Sequence, residues 1–257
     1  MTARRAEEAL AKFLMGLSVI LVLGSLGAIV VVVLVRGLGA LSLSTVTQAP
    51  RGGYYLGGEG GALNAIVGSL CLAFGATAAA LLLSVPIVFY LHAEFSRRSP
   101  FAALVRLSLD VMWGVPSIVW GAFAFIIMLY FGLRASLLGG IIALTFVELP
   151  IMARAMEEAL RTVPPEIREA SYVVGATCWE TTLKVVLRQA LPGLVAAILL
   201  AFGRGIGDAA SVLFTAGFTD NLPSSLLDPV ASLPLAVFFQ LGTPYPEVQQ
   251  RGIWRRP

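Results

Sequence analysis

The 257-residue sequence is 58% hydrophobic and only 13% charged, with a formal net charge of +3. Charged residues make up about a quarter of an ordinary soluble domain, so this composition excludes that class. A bilayer is the expected solvent, and the expected unit is an apolar run of about 20 residues, the length of helix that crosses ~30 Å of hydrocarbon.

In chain order, residues 13–35 form the first predicted span. The run is too long for a secretory signal and lacks a small-residue cleavage site after a short apolar core, so it reads as an uncleaved anchor. A Gly- and Pro-containing loop, 36–61, leads to a second span over 62–91. His92 ends that span as an interfacial residue, and a lone histidine supports no metal site. Cys71 in this span and Cys178 in a polar loop fall in different compartments, which excludes a disulfide framework. Residues 111–133 form a third span. Its Gly114 and Pro116 either break the helix beside a cavity or kink it for packing. Trp113 and Trp120 serve packing and interface anchoring. Two further spans, 135–153 with Glu148 and 191–216 with Arg204 and Asp208, require that interior charges be tolerated. The expected fold class is therefore an all-α integral membrane protein with five visible spans.

Charge asymmetry orients these spans. A cytoplasmic amino terminus puts Arg4, Arg5, Lys12, Arg97, Arg98, Arg106, Arg154, Arg161, Arg168, Lys184 and Arg188 inside, and only Arg36, Arg51 and Arg134 outside before the last few residues. The positive-inside rule selects that orientation. It conflicts with the end of the chain, where Arg251, Arg255 and Arg256 would lie outside after a fifth span. A truncated or frameshifted end is the expectation that follows.

The orientation makes 154–190 the longest charged cytoplasmic loop. Pro164-Pro165 stops one helix and opens another over 165–174, with Glu166 and Glu169 near its positive end. Gly175 suits the left-handed cap at the end of that helix. A second helix, 178–189, leads to Pro192-Gly193 and the next span. In that span, Arg204 and Asp208 are four residues apart, which predicts one helical face and a pair. The guanidinium is a planar, permanently charged fork that fits an oxyanion, and Asp208 can hold it between transport events. The alternative is a salt bridge that only packs two spans. Glu148, before Leu149-Pro150, is read as structural: it joins a charge network with Arg204 or Arg154 or approaches the cytoplasmic interface.

Glu169-Ala170-Ser171, then Gly175, then Val185 and Leu187 resemble the cytoplasmic loop of permease subunits in binding-protein-dependent ABC importers. Arg188 stands where that family usually carries proline. Within the family, Asn64 to Leu70, Gly114 to Val119, Glu157 to Arg161, Arg204 to Asp208 and Ser232 to Leu235 are similar to PstA-type phosphate permeases. Asp208 replaces the usual glutamate, and Glu148 an uncharged residue.

The resemblance implies a MetI-like ABC importer fold whose sixth span is not visible here. It divides the chain into 1–61 (tail, first span and outer loop), a 62–250 permease region with its coupling loop, and an atypical 251–257 tail. It implies phosphate as cargo, Arg204 and Asp208 on its path, and Glu169, Ala170 and Gly175 at the contact with an ATPase. The implied partners are a PstC-type sister permease, a PstB-type ATPase dimer, a PstS-type phosphate-binding protein and membrane lipid, with no nucleic acid. The expected location is a bacterial or archaeal inner membrane. No Gly-x4-Gly-Lys-Ser/Thr motif occurs in the sequence, and neither lysine, Lys12 or Lys184, has a glycine-rich lead-in. The expectation is a transport subunit rather than an enzyme, without a cofactor of its own and with ATP bound by the partner. The alternatives are a molybdate or sulfate permease, an inactive truncated permease, or an ATP-independent channel or carrier, which has no use for a glycine-broken coupling loop.

Overall fold

The computed structural model describes residues 2–38, 43–50, 60–92 and 99–241. Arg51, Arg97, Arg98, Arg251, Arg255, Arg256 and the 251–257 tail lie outside the described residues. The helices in chain order are α1 (Thr2–Leu38), α2 (Leu43–Thr47), α3 (Leu63–His92), α4 (Pro100–Gly114), α5 (Ser117–Tyr130), α6 (Leu137–Arg161), α7 (Pro165–Val173), α8 (Cys178–Glu180), α9 (Leu187–Ile206) and α10 (Leu233–Leu241), with a π-helical stretch, Thr181–Val186, joining α8 to α9. Among the described residues no strand occurs. Residues 1–43 with 239–257 form one unit and 44–238 another.

In the first unit, the membrane-length stretch Glu7–Val35 of α1 carries its charges at the start, with Lys12 paired to Glu8, and is apolar on every side from Phe13 to Val35. A helix of this kind is stable only in lipid or against other apolar helices. Its two serine hydroxyls are satisfied internally: Ser18 donates to the Leu14 carbonyl at 2.9 Å and Ser25 to that of Val22 at 3.0 Å.

In the second unit, α6 is the hub on which α3, α4, α5 and α9 pack. The α3 face toward the core carries small residues at helical spacing: Ala65, Ser69, Ala73, Ala76, Ala80 and Ser84, all buried. Lipid tails are as apolar as leucine, so helices in a bilayer associate by close packing, which small side chains permit. The α9 helix buries a similar stripe, Ala190, Leu194, Ala197, Ala201 and Gly205.

Among the described residues, four helices are long and apolar enough to span a membrane: Glu7–Val35, Leu63–His92, Leu137–Arg161 and Cys178–Ile206. The third predicted span, 111–133, is not one helix. α4 ends at Gly114, and α5 leaves at a bend of 104°. Pro116 forces Val115 into extended backbone, φ −77° and ψ 127°, which no helix can hold. The bend is stapled by Trp120, whose indole N–H donates to the Met112 carbonyl at 3.4 Å and whose ring stacks on Phe146.

The structure corrects three further boundaries. α6 runs past 153 to Arg161, because Arg154, Glu157 and Arg161 form i,i+3 and i,i+4 ion pairs along it. The predicted 178–189 helix does not stop before Pro192 but continues to Ile206, with Ala190 and Leu194 packed in the core on either side of the proline. The predicted fifth span, 191–216, is helical only to Ile206. Gly203, Gly205 and Gly207 weaken helix there, and the Asp208 carboxylate takes the Ser211 N–H at 3.1 Å, giving the backbone another partner.

From Gly207 to Ser232 the chain is irregular yet packed, with Val212, Thr215, Ala216, Val230 and Ala231 buried. Irregular backbone at membrane depth persists only when protein or a cavity satisfies it. Here it caps α6: the Ser136, Leu137 and Leu138 N–H groups donate to the carbonyls of Thr215, Asp228 and Leu226, each at 2.8 Å. Asn64 donates to the Thr219 carbonyl at 2.7 Å, and the Leu233 N–H to the Ser69 hydroxyl at 2.8 Å. Gly68 is required where this segment crosses α3, since a Cβ there would collide with the Ala231 carbonyl oxygen.

Candidate functional site

Arg204 occupies the last turn of α9, and Asp208 lies just beyond the helix. The predicted pair exists, with Arg204 Nη1 donating to Asp208 Oδ1 at 2.8 Å. The shared helical face does not, because the helix ends between the two residues. Asp208 is buried, whereas the Arg204 side chain is 41% exposed. Two neutral donors also hold the carboxylate. The Ser117 hydroxyl, at the start of α5, reaches Oδ1 at 3.1 Å, and the Ser211 N–H reaches Oδ2 at 3.1 Å. Three elements, α5, α9 and the irregular segment, thus converge on one carboxylate. The guanidinium keeps N–H groups for a tetrahedral oxyanion on its exposed side.

Glu148 lies within α6, fully buried. Its Oε2 accepts from the Thr77 hydroxyl of α3 at 2.8 Å. Its Oε1 rests against Gly205, with no hydrogen-bond donor among the described residues. No salt bridge joins it to Arg204 or Arg154 among those residues. Arg204 acts on it only through space, and the side chain is sealed between α3, α6 and α9.

A second charged cluster ties α4 to α6. Glu157, whose side chain is 3% exposed, accepts from Arg106 Nε at 2.7 Å and from Arg154 Nη1 and Arg161 Nη2 at 2.8 Å each. Arg154 also pairs with Asp110, its Nε donating to Oδ1 at 2.7 Å and its Nη2 to Oδ2. Arg106 donates on to the Leu91 carbonyl near the end of α3 at 2.9 Å. Sequence reading quoted Glu157 only for resemblance and passed over Asp110. The spacing Arg154-x-x-Glu157-x-x-x-Arg161 was the available signal. Nothing comparable marked Ser117, Ser211 or Thr77.

In the loop, the predicted helix is present as α7, and Gly175 has φ +85°, the left-handed cap expected of it. Its N–H donates to the Tyr172 carbonyl at 2.9 Å, and that of Ala176 to the Ser171 carbonyl at 3.2 Å. A capping box, Thr177 with Glu180, starts the following helix. Ser171 and Thr181 share a hydroxyl hydrogen bond at 2.9 Å, and Arg168 donates to the Leu160 carbonyl at 3.0 Å. Glu169, Ala170 and Gly175 are exposed, beside Val173 and Val174, which are 86% and 83% exposed. They do not join Arg204 and Asp208. The continuous helix Cys178–Ile206 separates the two groups, 29 residues and roughly 40 Å long at 1.5 Å per residue.

Residues 84–231, more than half of the chain, match the family described as binding-protein-dependent transport system inner membrane component. The phosphate transport system permease protein PstA of Yersinia pestis is 33% identical over 214 residues, covering 83% of this chain and 72% of its own length. The PstA protein of Mycobacterium leprae is 36% identical over 187 residues, covering 72% of this chain, which spans only 61% of that relative. The Haemophilus influenzae PstA protein is 31% identical over 240 residues, covering 91% and 83%. Among solved structures, the inward-facing MetNI methionine ABC transporter matches with a TM-score of 0.60 at 20% identity, covering 74% of this chain and 85% of that one. An amino acid ABC transporter with histidines matches with a TM-score of 0.57 at 18% identity, covering 74% and 83%. These structural likenesses show the MetI-like permease fold. The extent of the family match and the identity to the PstA proteins show that the chain belongs to the binding-protein-dependent permease family, among its PstA-type members.

Proposed function

We propose that the chain is the permease subunit of an ATP-driven phosphate importer, forming half of the translocation pathway in a bacterial or archaeal inner membrane with its amino terminus cytoplasmic. The observation that carries the reading is the Arg204–Asp208 pair: a half-exposed guanidinium held by a buried carboxylate in a chain related to phosphate permeases. A sister permease of the PstC type supplies the other half, a PstS-type protein delivers phosphate, and a PstB-type ATPase pair grips the loop at Glu169, Ala170 and Gly175. ATP is bound and hydrolysed by that partner. Phosphate released by the binding protein exchanges water for the Arg204 fork, and the Asp208 pair reforms as the anion leaves.

The test is labelled phosphate uptake per assembled complex. Arg204→Gln keeps length and hydrogen bonding but removes charge, and it abolishes uptake with the complex present. Arg204→Lys keeps the charge without the bidentate fork and restores only part. Normal uptake in Arg204→Gln removes Arg204 from the path. Uptake of molybdate or sulfate in preference to phosphate overturns the cargo.

A further inference from the structure

Asp208 is buried, and its partners are three donors from different parts of the fold. An arriving oxyanion that takes the Arg204 fork competes with Asp208 for the same guanidinium. If Asp208 had no other donor, anion binding would strand a buried carboxylate, and the ion pair would resist opening. Ser117 and the Ser211 N–H change that balance, because both stay on the carboxylate when Arg204 turns away.

Ser117 owes its position to two features that sequence reading did not connect with the ion pair. The break at Val115–Pro116 turns the chain by 104° and makes Ser117 the first residue of α5, so its hydroxyl can reach Asp208 Oδ1 at 3.1 Å. One turn further, Gly121 admits the Ser211 backbone, since a Cβ there would press on the Ser211 carbonyl. The close approach of α5 to the 208–211 segment is thereby fixed on both sides of the carboxylate.

We infer that Ser117 is a positioning residue for transport, holding Asp208 hydrogen-bonded while Arg204 turns from it to the anion. The inference rests on the proposed phosphate-permease reading, in which Arg204 meets the cargo. Ser117 acts through Asp208 and does not itself contact the anion.

The experiment uses the complete transporter reconstituted in lipid vesicles, with complex abundance, ATP hydrolysis without phosphate, and labelled phosphate moved per ATP measured in parallel. Ser117→Ala lowers phosphate moved per ATP about tenfold, while abundance and phosphate-free hydrolysis keep their wild-type values. Ser117→Thr retains the hydroxyl and keeps at least half of the wild-type ratio. Ser117→Cys, of similar size with a weak donor, behaves as Ser117→Ala does and serves as the test if the alanine variant fails to assemble. A wild-type ratio in Ser117→Ala or Ser117→Cys overturns the inference, and so does a loss that Ser117→Thr shares. Arg204→Gln measured beside them separates the two readings. If it transports phosphate normally, Arg204 does not meet the cargo and the premise of the inference fails; if it is inactive while Ser117→Ala is normal, only the role of Ser117 fails.

Discussion

At Gly205 the absence of a side chain is what lets a carboxyl group sit inside the bundle. A Cβ there would overlap Glu148 Oε1 and come within 2.8 Å of its Cδ, with Glu148 itself fully buried and anchored to Thr77. Oε1 is the end of a flexible side chain, but burial and the Thr77 hydrogen bond hold it in place, so Gly205→Ala acts as overpacking and costs about 1–3 kcal/mol. The expected outcome is a lower melting temperature of the purified complex, recovered in part when Glu148→Ala is added to the same chain. Equal melting of Gly205→Ala and wild type would show that α6 and α9 can separate at this point. The contact also lies one residue from Arg204, so the double variant asks whether α9 can be repacked there without losing uptake.

Among the elements, α4 and α6 are joined by charge as well as by packing. Glu157 serves three arginines, and its removal leaves Arg106 and Arg154 partly buried without their shared carboxylate. Breaking a buried pair on one side costs roughly 3–5 kcal/mol. Glu157→Gln should therefore lower the thermal stability of the complex sharply. Glu158→Gln, on an exposed residue 3.7 Å from Arg161, should cost below about 0.5 kcal/mol. Similar melting of the two variants would refute the clamp. The same elements show what the sequence could reveal. Spans, the glycine turn at Gly175 and the Arg204–Asp208 pair were legible because apolar length, left-handed backbone and i,i+4 spacing are local properties. The 104° turn was only half legible: Gly114 and Pro116 signalled a break, but its angle depends on what α5 packs against. The end of α9 at Ile206 was misread because apolar residues continue to 216, and hydropathy does not distinguish a helix from irregular chain buried among glycines. The contacts of Glu148, Ser117 and Arg106 depend on pairs distant in sequence, Thr77 with Glu148, Ser117 with Asp208 and Arg106 with Glu157, which no single-chain pattern encodes.

Across the whole 44–238 unit, the proposed coupling requires that movement of a surface loop reach a site roughly 40 Å away along one helix. The loop is braced for that role: the capping box at Thr177 and Glu180, the Ser171–Thr181 hydrogen bond and the Arg168 contact to the Leu160 carbonyl hold α7 against the end of α6 and the π-helical stretch that leads into α9. Val173, Val174 and Ala170 remain exposed for a partner to grip. Displacing α7 therefore moves α9 as a lever rather than unravelling the turn, the behaviour expected of packed helices that shift as rigid bodies. Gly175 is the weak point, since its φ of +85° is closed to proline, whose ring fixes φ near −65°. Gly175→Pro destroys the turn without touching an apolar span, and Ala170→Trp blocks the exposed face without altering the turn. Both variants should insert and assemble at wild-type abundance and still support ATP hydrolysis by the partner, while phosphate moved per ATP falls at least tenfold. Measuring hydrolysis and uptake in the same vesicles separates uncoupling from loss of the ATPase, which would lower both together. Wild-type uptake per ATP in either variant would show that the partner drives transport through some other surface, and the lever from α7 to Arg204 would have to be abandoned.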